Sequence, residues 1–393
     1  MTSVRFTEDL RGFTVGVTAD RRRDEQALLL GRLGVGVVQG PTVRTLPVAA
    51  GEGLRAATEA VIARPPDILV ANTGLGIRGW FAMAETWALD AALRDALARS
   101  RIACRGPKAA GAILTAGLVV WWRAPSEQLG EVADHLIAQG ARGLRIAFQL
   151  HGDRRQSLTE RLAAAGADVV ELPVYRWTLP DQGGPAAHLI DLCCAGTVDA
   201  VTFTAAPAVR NLFELAGAGR AGPLRDALNA GILVACMGPV CAAAAVEEGI
   251  SAPIVPAHWR LGALVRAVGE QLALRRSRYR VGETSLVLQG SVALVDGAAV
   301  ELTNRERDVL RAVAARPGVV VTRASLLQRV WSERGADSHA LEAVVGRLRA
   351  KLGPAGAAVN TVVRRGYSFV AEPAAEAEVR GAEPAAEAER GRV

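Results

Sequence analysis

The sequence predicts two architectures in one chain: an α/β segment of two parallel-sheet lobes, then a small helical module closed by a β-hairpin. The first rests on alternation. From residue 12 to about 265, short apolar runs alternate with Ala/Leu/Arg-rich helical stretches. Nearly continuous apolar strands separated by helices are the pattern of parallel sheets covered on both faces. The second rests on three amphipathic helical patterns followed by two short β runs within residues 301–370. Charge supports the division: residues 275–370 hold 16 Lys and Arg against 8 Asp and Glu, in a chain of 393 residues with a net charge of +6.

The strand-type runs are FTVGVTA, TVRTLPVA, DILVANTG, RIACRG, VVWWRA, LRIAFQL, DVVELPVYRW, DAVTFTAA, ILVACMG and APIVPA. Helical stretches fall around 22–33, 51–63, 87–99, 126–139, 155–165 and 207–217. So many strands crowd one small sheet, so two lobes are expected. Several strands end in small-residue turns: Asn72-Thr73-Gly74, Arg105-Gly106-Pro107, His151-Gly152-Asp153 and Gly238-Pro239. Ligands of open α/β sheets bind outside the carboxyl ends of strands. Backbone N–H groups at the helix starts that follow suit carboxylates. GxxxxGK[ST] does not occur, and GxGxxG at residues 74–79 and 217–222 is too short a pattern to carry nucleotide binding by itself.

No apolar run reaches the roughly 18 residues of a membrane span. The opening MTSVRFTEDLRG lacks the apolar core of a signal peptide. A cytoplasmic protein is expected, with no membrane contact. Cys104, Cys193, Cys194, Cys236 and Cys241 include no CxxC pair and no metal-type His partner. Reduced, mostly buried thiols are expected, with neither metal nor cofactor.

In the C-terminal module, Thr303 with Glu306 three residues on forms a capping box that starts the first helix. Val309, Leu310 and Val313 supply its apolar face, and Arg316-Pro317-Gly318 breaks it. Thr322 caps the second helix, which carries Leu326, Leu327, Val330 and Trp331, the last read as core. The third helix runs from about Ser338 to Leu352, with Leu341, Val344, Val345, Leu348 and Leu352 on one face. His339, Ala343, Gly346, Arg347 and Ala350 fall opposite, flanked by Arg349 and Lys351. Arg364 and Arg365 sit at the hairpin tip. This order is a winged helix-turn-helix, and its partner is expected to be double-stranded DNA. The outward face of the third helix would meet the major groove. Arg347 suits a guanine edge or a phosphate, and the hairpin arginines suit a minor groove or backbone. The DNA-contact candidates are Thr322, Arg323, His339, Arg347, Arg349, Lys351, Arg364 and Arg365. A dimer on repeated half-sites is the prior for such a module. A helical protein-interaction domain with solvated arginines is the alternative.

The stretches LTNRERDVLRAVAARPGVVVTRASLLQRVW, GRLRAKL and TVVRRGYSFV closely resemble the winged-helix effector domain of the OmpR/PhoB response-regulator family, over nearly all of residues 285–370. Two departures from the family stand out. Ala343, Gly346 and Ala350 are small where such helices often carry larger polar or basic groups. Arg365-Gly366 replaces a Gly-x-Gly wing tip. The upstream segment does not have the order or length of a receiver domain. It resembles uroporphyrinogen-III synthase (HemD) on GxxVxVTADRR, DILVANTGLGIRGWF, RIACRGPKAAGAILTAGL, DAVTFTAAPAVRNLF and ILVACMGPVCAAAAVEEGI, and on the spacing L-x-x-x-G-x-x-V-x-x-x-x-x-Y that ends at Tyr175. The resemblances imply a HemD-like domain over 1–268, with lobe 1 at about 1–40 and 176–268 and lobe 2 at about 41–175. A basic linker over 269–283, a winged-helix domain over 284–371 and a disordered Ala/Glu-rich tail over 372–393 follow.

The synthase resemblance implies a cofactor-free cyclisation of hydroxymethylbilane, an eight-carboxylate tetrapyrrole, with inversion of ring D. Such chemistry is mainly positioning, helped by donors to the carboxylates and to the departing hydroxyl. Tyr175 and Thr73 are the catalytic candidates. Gly74, Arg78, Arg105, Lys108, His151, Gly152, Arg154, Thr204 and Gly238 are the substrate-binding candidates. Val240 and Cys241 stand where the family presents a hydroxyl residue, and Phe203-Thr204-Ala205-Ala206 lacks its Ser-Pro. Two readings stay open: a transcription regulator whose synthase-like domain senses a ligand, and an active synthase carrying a regulatory DNA-binding domain. Fusions of this type resemble regulators of nitrate and nitrite assimilation, which depends on sirohaem, a tetrapyrrole.

Overall fold

The computed structural model describes residues 9–47, 52–150, 157–181, 184–331 and 338–374. It divides into two compact units, residues 1–42 with 181–393, and residues 43–180. The chain starts the first unit with β1 (Thr14–Val17), α1 (Arg23–Gly31) and β2 (Gly36–Gln39). It builds the second unit from β3 (Arg44–Pro47), α2 (Glu52–Ala63), β4 (Ile68–Ala71), α3 (Gly74–Thr86), α4 (Asp90–Leu97), β5 (Arg101–Cys104), α5 (Pro107–Thr115), β6 (Trp122–Arg123), α6 (Leu129–Ala138), β7 (Arg145–Gln149), α7 (Ser157–Ala164), β8 (Asp168–Leu172) and β9 (Tyr175–Thr178). It returns to the first unit with α8 (Pro185–Cys194), β10 (Ala200–Phe203), α9 (Ala206–Ala230, broken at Gly217), β11 (Leu233–Cys236), α10 (Pro239–Glu247) and α11 (Leu261–Ala273). The terminal module follows within that same unit: β12 (Ser277–Val281), β13 (Thr284–Gln289), β14 (Val292–Val295), β15 (Ala298–Glu301), α12 (Asn304–Ala314), β16 (Val321–Thr322), α13 (Arg323–Val330), α14 (Ser338–Leu352), β17 (Val359–Val362), β18 (Gly366–Phe369) and β19 (Glu372–Pro373).

The second unit is a parallel sheet in the order β6-β5-β4-β7-β8. Its central strand shows why apolar runs become buried strands. Leu69 and Ala71 pack into one core with α2, α3 and α5, while Ile68 and Val70 pack into the opposite core with α6 and α7. All four side chains are buried, so no polar face is needed. The chain moves from β4 to β5 on one side and later to β7 on the other. The sheet therefore switches direction between β4 and β7, and in open α/β sheets ligands bind beside such a switch, outside the carboxyl ends of the strands.

The first unit repeats the scheme with a parallel sheet in the order β11-β10-β1-β2, switching between β1 and β10. β2 was not expected, because Gly34, Gly36 and Gly40 interrupt its Val-Val pair. Gly40 is required at the strand's end, since a Cβ there would lie 2.5 Å from the Leu189 Cβ. APIVPA supplies only a single bridge, Ile254 to Ala235. DVVELPVYRW breaks at Pro173, which has no N–H to donate. Its second half, β9, pairs instead with β3.

The terminal module sets an antiparallel sheet, β15-β14-β13-β12-β19, against α12, α13 and α14, with a second sheet β16-β18-β17. Tyr279 joins the parts: its ring meets Phe369 edge-on at 4.8 Å and its hydroxyl donates to the Ala314 carbonyl at 3.2 Å. Two expected boundaries differ here. The span 269–283, expected as a basic linker, holds the end of α11, to Ala273, and the start of β12, from Ser277. Glu372 and Pro373, expected in the tail, add β19 to the edge of β12, which satisfies that strand's outer groups. Residues 375–393 lie outside the described residues. No described helix is long and apolar enough to cross a membrane.

Candidate functional site

At the switch point of the second unit, Gln149 ends β7 fully buried. Its Oε1 accepts from the backbone N–H of Asn72 at 2.8 Å and of Thr73 at 3.1 Å. Its Nε2 donates to the Thr73 hydroxyl at 3.1 Å and to the Thr73 carbonyl at 3.3 Å. The Thr73 hydroxyl also accepts from the Gly76 N–H at 3.1 Å and so caps α3. The Gly-Leu-Gly that opens α3 follows from this crowding. A Cβ at Gly76 would lie 1.6 Å from Gln149 Nε2, and one at Gly74 would lie 2.2 Å from the Lys108 carbonyl oxygen. Arg105 donates to Asn72 Oδ1 at 3.1 Å. Asn72 Nδ2 is buried with no hydrogen-bond partner among the described residues.

Thr73, Gly74, Arg78, Arg105 and Lys108 thus gather at the ends of β4 and β5, but their roles separate. Thr73 is a helix cap tied to Gln149 rather than a free hydroxyl. Arg78 and Lys108 are exposed, and the Arg78 guanidinium lies over Gly74. α5 starts from Gly106 with no side-chain cap. His151, Gly152 and Arg154 lie outside the described residues. Tyr175 occupies β9 opposite Pro47, and its side chain is likewise outside the described set.

The first unit shows the same inward turn. Thr18 donates to the Thr202 carbonyl at 2.8 Å, Thr202 to the Gly16 carbonyl at 3.1 Å, and the buried Gln26 to the Thr202 hydroxyl at 2.8 Å. Thr204 is half-buried at the end of β10. α9 and α10 begin from Ala205 and Gly238 without side-chain caps. Gly238 has φ 97°, and the ring of Trp259 lies 3.3 Å from where its Cβ would be. Val240 is 62% exposed, while Cys241 is buried and donates to the Phe203 carbonyl at 3.6 Å. Among the cysteines only Cys194 is exposed, and none is paired. Burial pushes the Cys104 and Cys193 thiols up to about 12, so they are inert as nucleophiles.

In the terminal module the capping box at Thr303 is closed: Glu306 accepts from the Thr303 N–H at 2.9 Å, and the Thr303 hydroxyl accepts from the Glu306 N–H at 3.4 Å. Leu341, Val344, Val345, Leu348 and Leu352 are buried, and His339, Ala343, Gly346, Arg347 and Ala350 are exposed. Arg364 and Arg365 are exposed at the wing tip and make no ion pair among the described residues. Arg364 takes the left-handed conformation at φ 60°. Gly366 is required two residues on, since a Cβ there would lie 2.1 Å from the Val321 carbonyl oxygen.

Four candidates are engaged within the module. Arg349 donates from Nε to the Val359 carbonyl at 2.8 Å and from Nη2 to the Thr361 hydroxyl at 2.8 Å, bracing α14 to β17. Lys351 pairs with Glu306 at 2.7 Å and donates to the Glu301 carbonyl at 3.1 Å. Arg323 pairs with Glu342 at 3.0 Å. Thr322 caps α13 through the Ser325 N–H. His339, Arg347, Arg364 and Arg365 are left as the open set. Helical periodicity assigned the faces correctly, but it carries no record of partners on another strand.

With this geometry in view, the family model of uroporphyrinogen-III synthase HemD matches residues 24–266. The chain belongs to the uroporphyrinogen-III synthase HemD family. A crystal structure of a mutant uroporphyrinogen III synthase from Thermus thermophilus is similar to it at 29% identity and a TM-score of 0.56, covering 67% of this chain and all of that one. A protein of Methanothermobacter thermautotrophicus described as a putative uroporphyrinogen-III synthase is 35% identical over 135 residues, 34% of this chain and 52% of the relative. The HemD-family portion is followed by a second match. The family model of the C-terminal domain of transcriptional regulatory proteins covers residues 297–369. The transcriptional regulatory protein PrrA of Mycobacterium tuberculosis is 34% identical over 112 residues, 28% of this chain and 48% of PrrA. The chain spans about half the length of those last two relatives. The terminal module is therefore an OmpR/PhoB-type DNA-binding effector domain, and its fusion to a HemD-family domain supports a regulator.

Proposed function

We propose that the HemD-family units are the sensor of this regulator and hold a tetrapyrrole polycarboxylate or a related polyanion at their strand ends. One observation carries the reading. Gln149, Thr73 and Thr202 at those ends are engaged by the protein itself, whereas the helices starting at Gly106, Ala205 and Gly238 have no side-chain cap. Open backbone N–H groups at a helix start favour carboxylates. Arg78 and Lys108, with the Arg105–Asn72 pair and the backbone at Gly74, supply further contacts in the second unit, and Thr204 and the backbone at Gly238 do so in the first. Ring inversion asks more, namely a donor placed for the departing hydroxyl. Ala205, Ala206, Val240 and Cys241 stand where such hydroxyls would be expected. A tetrapyrrole signal fits control of nitrate and nitrite assimilation, because sirohaem is built from the same precursor.

An active synthase is the second reading. It is favoured by the full-length match to the Thermus thermophilus enzyme and by Tyr175. Supplying hydroxymethylbilane and resolving the products separates the two. Type I isomer alone, the spontaneous outcome, leaves the sensor. Type III isomer above that background makes the domain an enzyme. For the regulator, duplex DNA from the region upstream of the chain's own gene should be retarded at low salt. Affinity should then fall with log salt by about 0.9 per phosphate contact. No retardation at low salt would overturn the DNA-binding reading.

A further inference from the structure

Only Leu274, Arg275 and Arg276 separate α11 from β12, and both arginines are bonded back to the HemD-family portion of the first unit. Arg275 donates to the Gly231 carbonyl and Arg276 to the Asp9 carbonyl. The turn between β13 and β14 then presses onto residues 9–12. Gln289 is 2% exposed, and its Nε2 donates to the carbonyls of Asp9 at 3.1 Å and Arg11 at 2.9 Å. The Ser291 hydroxyl and N–H both donate to the Gly12 carbonyl, at 3.0 and 2.7 Å. The two backbones meet so closely that a Cβ on Gly290 would lie 2.0 Å from the Gly12 oxygen.

A second set of contacts runs through α12. Arg307, 6% exposed, donates to the Gly196 carbonyl at 3.2 Å. Arg311 pairs with Asp199 Oδ1 at 3.5 Å and donates to the Gly290 carbonyl at 3.0 Å. The other Asp199 oxygen accepts from the Thr14 N–H at 2.9 Å, where β1 begins beside β10. The first residues of α12 face the recognition helix instead. Glu306, 1% exposed, holds Lys351 at 2.7 Å and lies 3.9 Å from Arg347 Nε.

We propose that α12 is the transmission element of the regulator: the HemD-family sheet grips it through Asp199–Arg311 and Arg307–Gly196, and it sets α14 through Glu306. The DNA-binding module is then carried as one body with β1 and β10, rather than swinging on a tether as a flexible linker of similar length would allow. A shift of the β1–β10 pair reaches Arg347 through a salt bridge, one helix and a buried carboxylate. The docked arrangement leaves His339, Gly346 and Arg347 exposed, so it is competent to meet DNA and does not mask the module. The purpose of this coupling rests on the regulator reading above. Its existence does not.

The test uses the full chain. Nitrogen-15 relaxation should give the amides of β12–β18 the same rotational correlation time as those of β1, β10 and β11. Asp199→Asn and Arg311→Ala should each raise hydrogen exchange in α14 and weaken duplex binding by about threefold or more, and the double variant should be no worse than the worse single one. Arg311 is half exposed and its removal leaves the core intact. Faster independent tumbling of the module in the unaltered chain, or α14 exchange unmoved by either substitution, would overturn the proposal. Absence of duplex binding would sink the regulator reading, while the relaxation and exchange results would still decide the coupling.

Discussion

The strand ends of the HemD-family units and the face of the winged module use the same polar residue types in opposite ways. Gln149, Thr73 and Thr202 turn inward and satisfy backbone groups of the turns that carry them. Arg347, Arg364 and Arg365 stay exposed, and the most that holds any of them among the described residues is the 3.9 Å approach of Arg347 to Glu306. Residue type alone does not mark a site. What distinguishes the two regions is whether the protein has already met the hydrogen-bonding demand of each group. Groups that are met confer stability, and groups left over are available to a partner.

The sharpest way to break this contrast is at Gln149. Gln149→Leu would leave the Asn72 and Thr73 N–H groups buried without acceptors, and unfolding should be easier by about 3 kcal/mol. A thermal or urea melt reads this, and a change under about 0.5 kcal/mol would make the inward network incidental. Arg347→Ala should do the reverse. Stability should hold while affinity for a specific duplex falls by about 10- to 100-fold, with relaxed base preference at one position. Unchanged affinity in a fluorescence titration would remove Arg347 from the interface.

Glu306 spans both regimes, being a buried carboxylate serving an exposed helix. Burial opposes its ionisation, but hydrogen bonds from Lys351 and Thr303 outweigh this and hold its carboxyl below the usual range. A folded-state value below the unfolded one means the contribution is fully present above the ordinary glutamate value of about 4.3. It is lost as pH falls through the depressed folded value. Glu306→Gln should flatten that acid-side loss in a stability profile, and an unaltered profile would count against the pairing. The smallest effect is expected at the wing tip. Arg364→Gly relieves a left-handed residue and should raise stability by up to about 1 kcal/mol. It should also lower the salt slope of duplex binding by about one.

Much of the module was legible because its signals are local. The Thr303–Glu306 box, the Pro317-Gly318 break and the apolar stripe of α14 each lie within a few turns of chain. The parallel sheets were legible from runs such as ILVA, which are apolar on both faces. What escaped was long-range. Gln149 acts on residues 77 and 76 positions away, and no periodicity reports that. Arg349 and Lys351 read as DNA contacts because spacing places them beside the outward face, whereas their partners come from β17, the end of β15 and α12. β2 escaped because glycines required by close packing diluted its apolar signal. The span 269–283 read as a linker because its arginines look solvated until the carbonyls they cap are in place.

The brace from Arg349 to the wing has a further consequence. It fixes the reach from α14 to the hairpin tip before any duplex arrives, so the module behaves as a pair of set calipers. With Ala343, Gly346 and Ala350 offering little to base edges, discrimination among sequences should come mainly from which ones present grooves at that preset span. Operators would then share a stiffness and width more than a consensus of letters.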